Sequence, residues 1–296
     1  MRIKIGTRGS KLALWQANLV QSTLSQYGIE AELVIVSTYG DTNQVAPLYA
    51  MGATGVFTKA LDEALLNDAV DIAVHSAKDM PSQLAQGLAE FAYLQREDPR
   101  DVLLATTNEV QLDNFARPLV IGTSSVRRQA LMRHYFPHVT LKDIRGNVDT
   151  RIQKMEAGDY DGIILARAGV KRMGLEKYIV QKFNASSFTP AIGQGAIAVV
   201  GRAEDKRQEK IREALDHAPT HVALKAERAF LRQLNGGCSV PAFGLATVVH
   251  NQMHMVAGMF DQNSHELLRY EADAPLEEAE SLGTQLADKV LTKVSS

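Results

Sequence analysis

Apolar positions in the first hundred residues switch between two periods. Ile3 to Gly6 is a short apolar stretch with strand character, and Ser10 is placed to cap a helix carrying Leu12, Trp15 and Leu19 on one stripe until Gly28 ends it. Leu33 to Val36 predicts a second strand, whereas Thr38 to Gly55, with Gly, Pro, Thr and Asn and no period, predicts a long loop. Helical spacing returns at Phe57, Leu61, Ala64 and Leu65. Ile72 to Val74 then predicts a buried strand running into a turn at Lys78-Asp79-Met80-Pro81. The resulting order, βαβαβ, predicts a parallel sheet.

Arg96-Glu-Asp-Pro-Arg-Asp101 is a polar, proline-broken crossing between apolar strands and a candidate hinge. A second α/β series follows. Leu119 to Gly122 predicts a strand entering the capping cluster Thr123-Ser124-Ser125 and a helix through Tyr135. Val139 to Ile144 repeats the device, with Asn147 as cap and Val148, Ile152 and Met155 as the buried stripe up to Gly158. Ile163 to Ala166 repeats it again before Ala168-Gly-Val-Lys-Arg172, so three strand ends bring polar residues to one sheet edge, where open α/β sheets bind ligands. Phe188 to Val200 reads as a second crossing that returns the chain to the first lobe. Two crossings permit hinge closure over a cleft.

After a charged helix from about Asp205 to Asp216, Pro219 reads as a break, and a helix from Thr220 ends in Asn235-Gly236-Gly237. Strands near Val248, Met255 and Leu267 and a helix bearing Leu282, Leu286 and Val290 complete a small α+β domain. The expected fold is therefore α/β, with two lobes joined by hinge crossings and a small C-terminal α+β domain. The expected boundaries are 1–97 with 196–217 for the first lobe, 98–195 for the second and 218–296 for the third unit.

Composition narrows the function. With 32 Lys and Arg against 34 Asp and Glu, the formal charge of −2 gives no whole-molecule field for nucleic acid or an anionic bilayer, so a polyanion must be held locally. No apolar run approaches the ~20 residues of a membrane span. Met1-Arg-Ile-Lys-Ile-Gly-Thr-Arg lacks the apolar core of a secretory signal, and the expected location is cytoplasmic. The single cysteine, Cys238, excludes an intrachain disulfide and argues against a Cys-based zinc cluster, so no metal is expected.

Local clusters of charge carry the candidate chemistry. Arg127, Arg128, Arg145, Arg151, Lys171 and Arg172 lie within a few residues of strand ends in the second lobe. Helix starts offer unsatisfied N–H groups, so Thr123, Ser124 and Ser125 beside guanidinium forks suit carboxylates or phosphates. The alternative is that these arginines are solvated partners of Asp143, Asp149 and Asp159. Arg8 and Ser10 occupy the matching position in the first lobe, with Lys59 on the helix after the long loop. At the end of Val74-His-Ser-Ala-Lys-Asp79, Asp79 can pass a proton or hold a cation beside Lys78, or it can be an ordinary turn aspartate; His75 reads as a core or rim histidine. Cys238 follows two glycines on a permissive loop, the setting of an accessible rather than a packed thiol. Walker, dinucleotide and zinc-helix motifs are absent.

Eight segments in order resemble the hydroxymethylbilane synthase (porphobilinogen deaminase) family over nearly the whole chain. They are Thr7-Arg-Gly-Ser-Lys-Leu-Ala-Leu-Trp-Gln16, Asp71-Ile-Ala-Val-His-Ser-Ala-Lys-Asp79, Arg96-Glu-Asp-Pro-Arg-Asp101, Gly122-Thr-Ser-Ser-Val-Arg-Arg128, Arg145-Gly-Asn-Val-Asp-Thr-Arg151, Ala168-Gly-Val-Lys-Arg172, Pro190-Ala-Ile-Gly-Gln-Gly-Ala196 and Gly236-Gly-Cys238. The resemblance implies two lobes like those of periplasmic binding proteins and a third domain carrying the cysteine. It implies a transferase of haem and tetrapyrrole biosynthesis that condenses four porphobilinogen molecules onto a dipyrromethane primer with loss of ammonia, then releases hydroxymethylbilane by hydrolysis. It further implies a thioether from Cys238 to the dipyrromethane and catalysis by Asp79. Arg8, Ser10, Lys59, Lys78, Ser125, Arg127, Arg128, Arg145, Arg151 and Arg172 match the family's cofactor and substrate contacts, with Thr123, Ser124 and Gln194 as weaker members. The expected enzyme is a cytoplasmic monomer that binds porphobilinogen and polypyrrole intermediates, and neither nucleic acid nor membrane.

One departure is Thr54, where the family commonly has Lys; Arg167 offers a compensating charge. Two other readings use the same residues: a two-lobed anion-binding or sensor module without chemistry, and an acyl transferase with Cys238 as nucleophile. The first predicts binding without turnover. The second requires a base beside Cys238 that the sequence does not identify.

Overall fold

The computed structural model describes residues 1–37, 58–113, 117–235, 240–261, 264 and 266–294. The chain runs through β1 (Arg2–Thr7), α1 (Lys11–Gln26), β2 (Glu30–Ile35), α2 (Lys59–Leu66), β3 (Ile72–Ser76) and β4 (Leu88–Tyr93) before crossing to β5 (Asp101–Leu104). Next come β6 (Val120–Gly122), α3 (Val126–Tyr135), β7 (Thr140–Lys142), α4 (Val148–Glu156), β8 (Gly162–Ala166), α5 (Arg167–Arg172) and β9 (Ile179–Lys182). A second crossing leads to β10 (Ile197–Arg202), α6 (Gln208–Leu215), α7 (Ala218–Gln233), β11 (Ala242–Val249), β12 (Gln252–Phe260), β13 (Leu267–Pro275) and α8 (Ala279–Val294).

Three sheets result. The first has the order β2-β1-β3-β10-β4, the second β7-β6-β8-β5-β9, and the third is the antiparallel meander β11-β12-β13. Residues of β3 alternate between two cores: Ile72 and Val74 pack with α1 and α6, and Ala73 packs on the other face with Leu61 and Leu65 of α2. Burial on both faces is why these strands read as continuous apolar runs. The third sheet packs on α7 and α8 through Met253, Met255, Phe230, Leu286 and Val290.

The expected parallel sheets are mixed. β10 runs antiparallel to β3 and β4, and β5 runs antiparallel to β8 and β9, so one strand in each lobe is reversed. Each reversed strand begins at the carboxyl edge of its sheet: Ile197 pairs with Ser76, and Asp101 pairs with Ala166. Both crossings therefore arrive at the edges where the candidate ligand groups stand.

Two local expectations also change. Ser10 caps α1 by accepting from Ala13 N–H at 3.4 Å, yet the buried face is Gln16, Ala17, Val20 and Leu24. Trp15 is 40% exposed and Leu19 36%, because that stripe looks away from the sheet. Pro219 starts a helix instead of breaking one, since it occupies the first turn of α7, where its missing N–H needs no partner.

Candidate active site

In the first lobe, β3 delivers the turn Ala77–Asp79, a single 3₁₀ turn whose final residue is the candidate acid. The second crossing lies directly against it. Gly193 has φ +73°, and a Cβ there would come within 2.9 Å of both the Ala77 carbonyl carbon and the Lys78 nitrogen, so only glycine permits this approach. Asp79 lines a cavity of about 60 Å³ with Arg8, Ser10, Gln16, Thr58, His75 and Ser76. Burial, reinforced by Arg8, pushes the His75 imidazole down to about 4, so it is a neutral wall of that cavity. Burial also lowers the Lys78 ammonium to about 8; Asp79 and Asp101 oppose the shift, and Arg128 and Arg127 add to it.

The second lobe answers with α3. Ser125 caps it, accepting from Arg128 N–H at 3.4 Å, and Ser124 Oγ clamps the neighbouring turn by donating to Ile144 O at 2.8 Å. Thr123 Oγ1 accepts from Ser125 N–H at 3.3 Å. A capping hydroxyl keeps its own proton to donate, so Ser10 and Ser125 retain a donor for a ligand. Arg127 and Arg128 are buried, at 4% and 6% exposure, and both reach Asp101, which is fully buried. Arg127 Nη2 donates to one carboxylate oxygen at 2.7 Å; Arg128 Nη2 and Nε donate to the other at 2.7 and 3.0 Å. Gln194 on the second crossing donates to that same oxygen at 2.9 Å. Burial alone would raise the Asp101 carboxyl, but Arg127, Arg128 and Gln194 hold it down at about 2.

Arg151 lies on α4 and donates from Nε to Gly146 O at 2.8 Å. Burial, then the like charges of Arg128 and Arg145, push its guanidinium down to about 10, while Asp79 acts in the opposite sense. Charge interactions connect Lys78 with Asp79, Asp101, Arg127 and Arg128, and Arg151 with Arg128, Arg145 and Asp79, so these groups lie near one another across the two lobes, and Arg8 lines the cavity with Asp79. Arg172 donates to Gly195 O at 2.7 Å, with burial drawing it down to about 10. Lys59 is exposed at the start of α2. Cys238, the 38–57 segment and Thr54 lie outside the described residues.

Of the alternative partners for the arginines, Asp143 accepts from Gln129 and Asp149 pairs with Lys11. Arg167 and Lys171 face Glu97 and Asp98 on the first crossing, so Arg167 serves that crossing. Two carboxylates were missed as site members. Asp101 had a signal, a charge opening the apolar run Val102–Leu104. Glu227 had another, an acid on the buried stripe of α7; it takes two donors from Arg96 at 2.5 and 3.2 Å, plus Gly193 N–H and Ala246 N–H.

Six basic side chains, Arg8, Lys78, Arg127, Arg128, Arg145 and Arg151, thus share this region with two carboxylates, Asp79 and Asp101. Arg127 Nε is buried without a partner, so donor capacity remains. Donors in this excess fit a ligand bearing several carboxylates. Fold and site together define a hinge-linked, two-lobed α/β protein with a basic cleft at the carboxyl edges of both sheets.

Comparison with known proteins then gives the family. The porphobilinogen deaminase dipyrromethane cofactor binding domain matches residues 3–210, and the porphobilinogen deaminase C-terminal domain matches 222–292. Curated relatives named porphobilinogen deaminase include that of Desulfosudis oleivorans, 41% identical over 98% of this chain and 94% of the relative, and that of Syntrophotalea carbinolica, 43% identical over 98% and 93%. Among solved structures, the Bordetella pertussis BvgS periplasmic VFT2 domain is 12% identical, with a TM-score of 0.43 over 72% of this chain and 86% of that one. The chain belongs to the porphobilinogen deaminase family.

Proposed function

We propose that Asp79 is the catalytic carboxylate of this transferase and Cys238 the attachment point of its cofactor. The enzyme is a hydroxymethylbilane synthase of tetrapyrrole biosynthesis that acts on porphobilinogen and binds dipyrromethane. When bound, the dipyrromethane supplies the nucleophilic pyrrole carbon that takes up the substrate's methylene group.

The chain's own residues do the rest. Arg8, Ser10, Lys78, Ser125, Arg127, Arg128, Arg145, Arg151 and Arg172 hold acetate and propionate side chains of the pyrroles, while Thr123, Ser124 and Gln194 fix the turns that present them. Asp79 gives its proton to the departing amine, the C–N bond breaks with its electron pair leaving on ammonia, and positive charge spreads onto the pyrrole nitrogen. The Asp79 carboxylate accepts that N–H and holds the charge beside it. The single observation that carries this reading is the position of Asp79, at the end of β3, lining the cavity with Arg8 and electrostatically coupled to Lys78 and to Arg151 of the opposite lobe. Support for Cys238 comes from α7, whose Arg228 donates to Pro81 O at 3.0 Å, tying the element before Gly236-Gly237-Cys238 to the turn that bears Asp79.

The proposal extends to a monomeric, cytoplasmic enzyme whose units are 1–97 with 196–217, 98–195, and 218–296. Incubation with porphobilinogen should release ammonia and hydroxymethylbilane, and Asp79→Asn should reduce turnover by about 100-fold or more. Near-normal turnover in that variant removes Asp79 from the chemistry. Binding of porphobilinogen without turnover by the wild type favours the anion-binding module instead.

A further inference from the structure

Two buried guanidinium groups sharing one buried carboxylate is an unbalanced arrangement. A buried ion pair is complete with one arginine; the second leaves a positive charge that the interior does not solvate. Arg128 is nearly saturated, giving Nε and Nη2 to Asp101 and Nη1 to Ile164 O at 3.0 Å. Arg127 is not: Nη1 donates to Thr189 O at 2.9 Å and Nη2 to Asp101, but Nε has no partner. The surplus charge marks the pair as awaiting an anion. Asp101 itself repels an incoming carboxylate, so ligand attraction does not account for it.

We propose that Asp101 is a resident counter-anion, a positioning residue that aligns Arg127 and Arg128 before any ligand arrives and limits how tightly they hold a ligand carboxylate. The proposal rests on the reading of the cleft as a polycarboxylate site. Asp101 stays anionic at every working pH, because the groups around it hold its carboxyl at about 2. Gln194 links it to the second crossing, donating both to the carboxylate and to Pro99 O at 2.7 Å. Arg127 and Arg128 therefore keep their geometry in the unloaded protein. A ligand held by two bare guanidinium groups would be stabilised equally before and during reaction, and such uniform binding does not raise turnover. Asp101 offsets part of that attraction.

Titration calorimetry of the unloaded, full-length protein with glutarate as a dicarboxylate probe tests the proposal. Asp101→Asn should bind glutarate about tenfold tighter than wild type, Asp101→Glu should resemble wild type, and Arg127→Met should lose the binding while keeping a cooperative melt. Unchanged or weaker binding by a folded Asp101→Asn overturns the proposal, as does undiminished binding by Arg127→Met. Should Asp101→Asn fail to fold alone, recovery of a cooperative melt at glutarate concentrations that leave wild type unmoved supports the idea, and failure to recover overturns it. The mass of wild-type protein loaded in cells, read in parallel, tests the parent reading separately.

Discussion

Lys78 carries a charge that responds to pH near neutrality. Burial lowers its pKa to about 8, so the free protein carries the ammonium at pH 7 and loses it as pH rises through about 8. Only the protonated form attracts a carboxylate, and a bound carboxylate pulls the proton back. Affinity for a carboxylate probe should therefore fall between pH 7 and 9, with proton uptake on binding above pH 8. Lys78→Met should bind more weakly at pH 7 and show a flat profile over that interval. Calorimetry in buffers of different ionisation enthalpy reads both effects; an equally steep fall in Lys78→Met assigns the titration to another group. At this scale the sequence was informative about residue types but not about partners. Arg127 and Arg128 were legible as cations at a capped helix, yet their shared carboxylate lies 26 and 27 positions away and becomes a neighbour only through the pairing of β5 with β8.

At the scale of elements, the second crossing packs against the Asp79 turn with no room for a side chain. Gly193→Ala introduces a Cβ into the Ala77–Lys78 backbone at a positive φ, and this should cost about 1–3 kcal/mol of stability and displace Lys78 and Asp79. Thermal melts beside turnover measure both; a variant with unchanged melting and turnover would show that the crossing yields easily. Caps and turns were readable because their chemistry is local: Ser10, Ser125 and the break at Gly28 stand where the spacing put them. Strand direction was not. Val102–Leu104 and Ile197–Val200 are buried on both faces, and a uniform apolar run carries no sign of its orientation. In α1 two stripes competed; the more hydrophobic, with Trp15, faces the second lobe, where the Arg172 guanidinium lies 5.6 Å from the indole centroid. The buried stripe contains Gln16 because its amide donates to Ser76 at 2.9 Å.

For the whole molecule, the contacts between units fall into two grades. The lobes touch through Lys11 and Asp149, a pair at 2.8 Å with side chains 75% and 33% exposed, whereas Arg96 and Glu227 join the first crossing to α7 with exposures of 11% and 0%. An exposed pair contributes at most about 1 kcal/mol, but breaking a buried one costs about 3–5 kcal/mol. Lys11→Ala should accordingly leave melting nearly unchanged and Glu227→Ala should lower it sharply; comparable losses in the two variants would contradict this ranking. The crossings themselves were legible as proline-broken and glycine-rich stretches. The carboxylate that fastens them was not, since it sits 131 residues beyond Arg96 and 34 beyond Gly193 in an otherwise amphipathic helix.

A covalent pyrrole group attached to Cys238 is the most direct thing to measure. Intact mass spectrometry of the protein purified from cells with an active haem pathway should give the sequence mass plus one dipyrromethane, and Cys238→Ala should give the bare mass without activity. Active protein at the bare mass, with a thiol open to alkylation, would contradict the account.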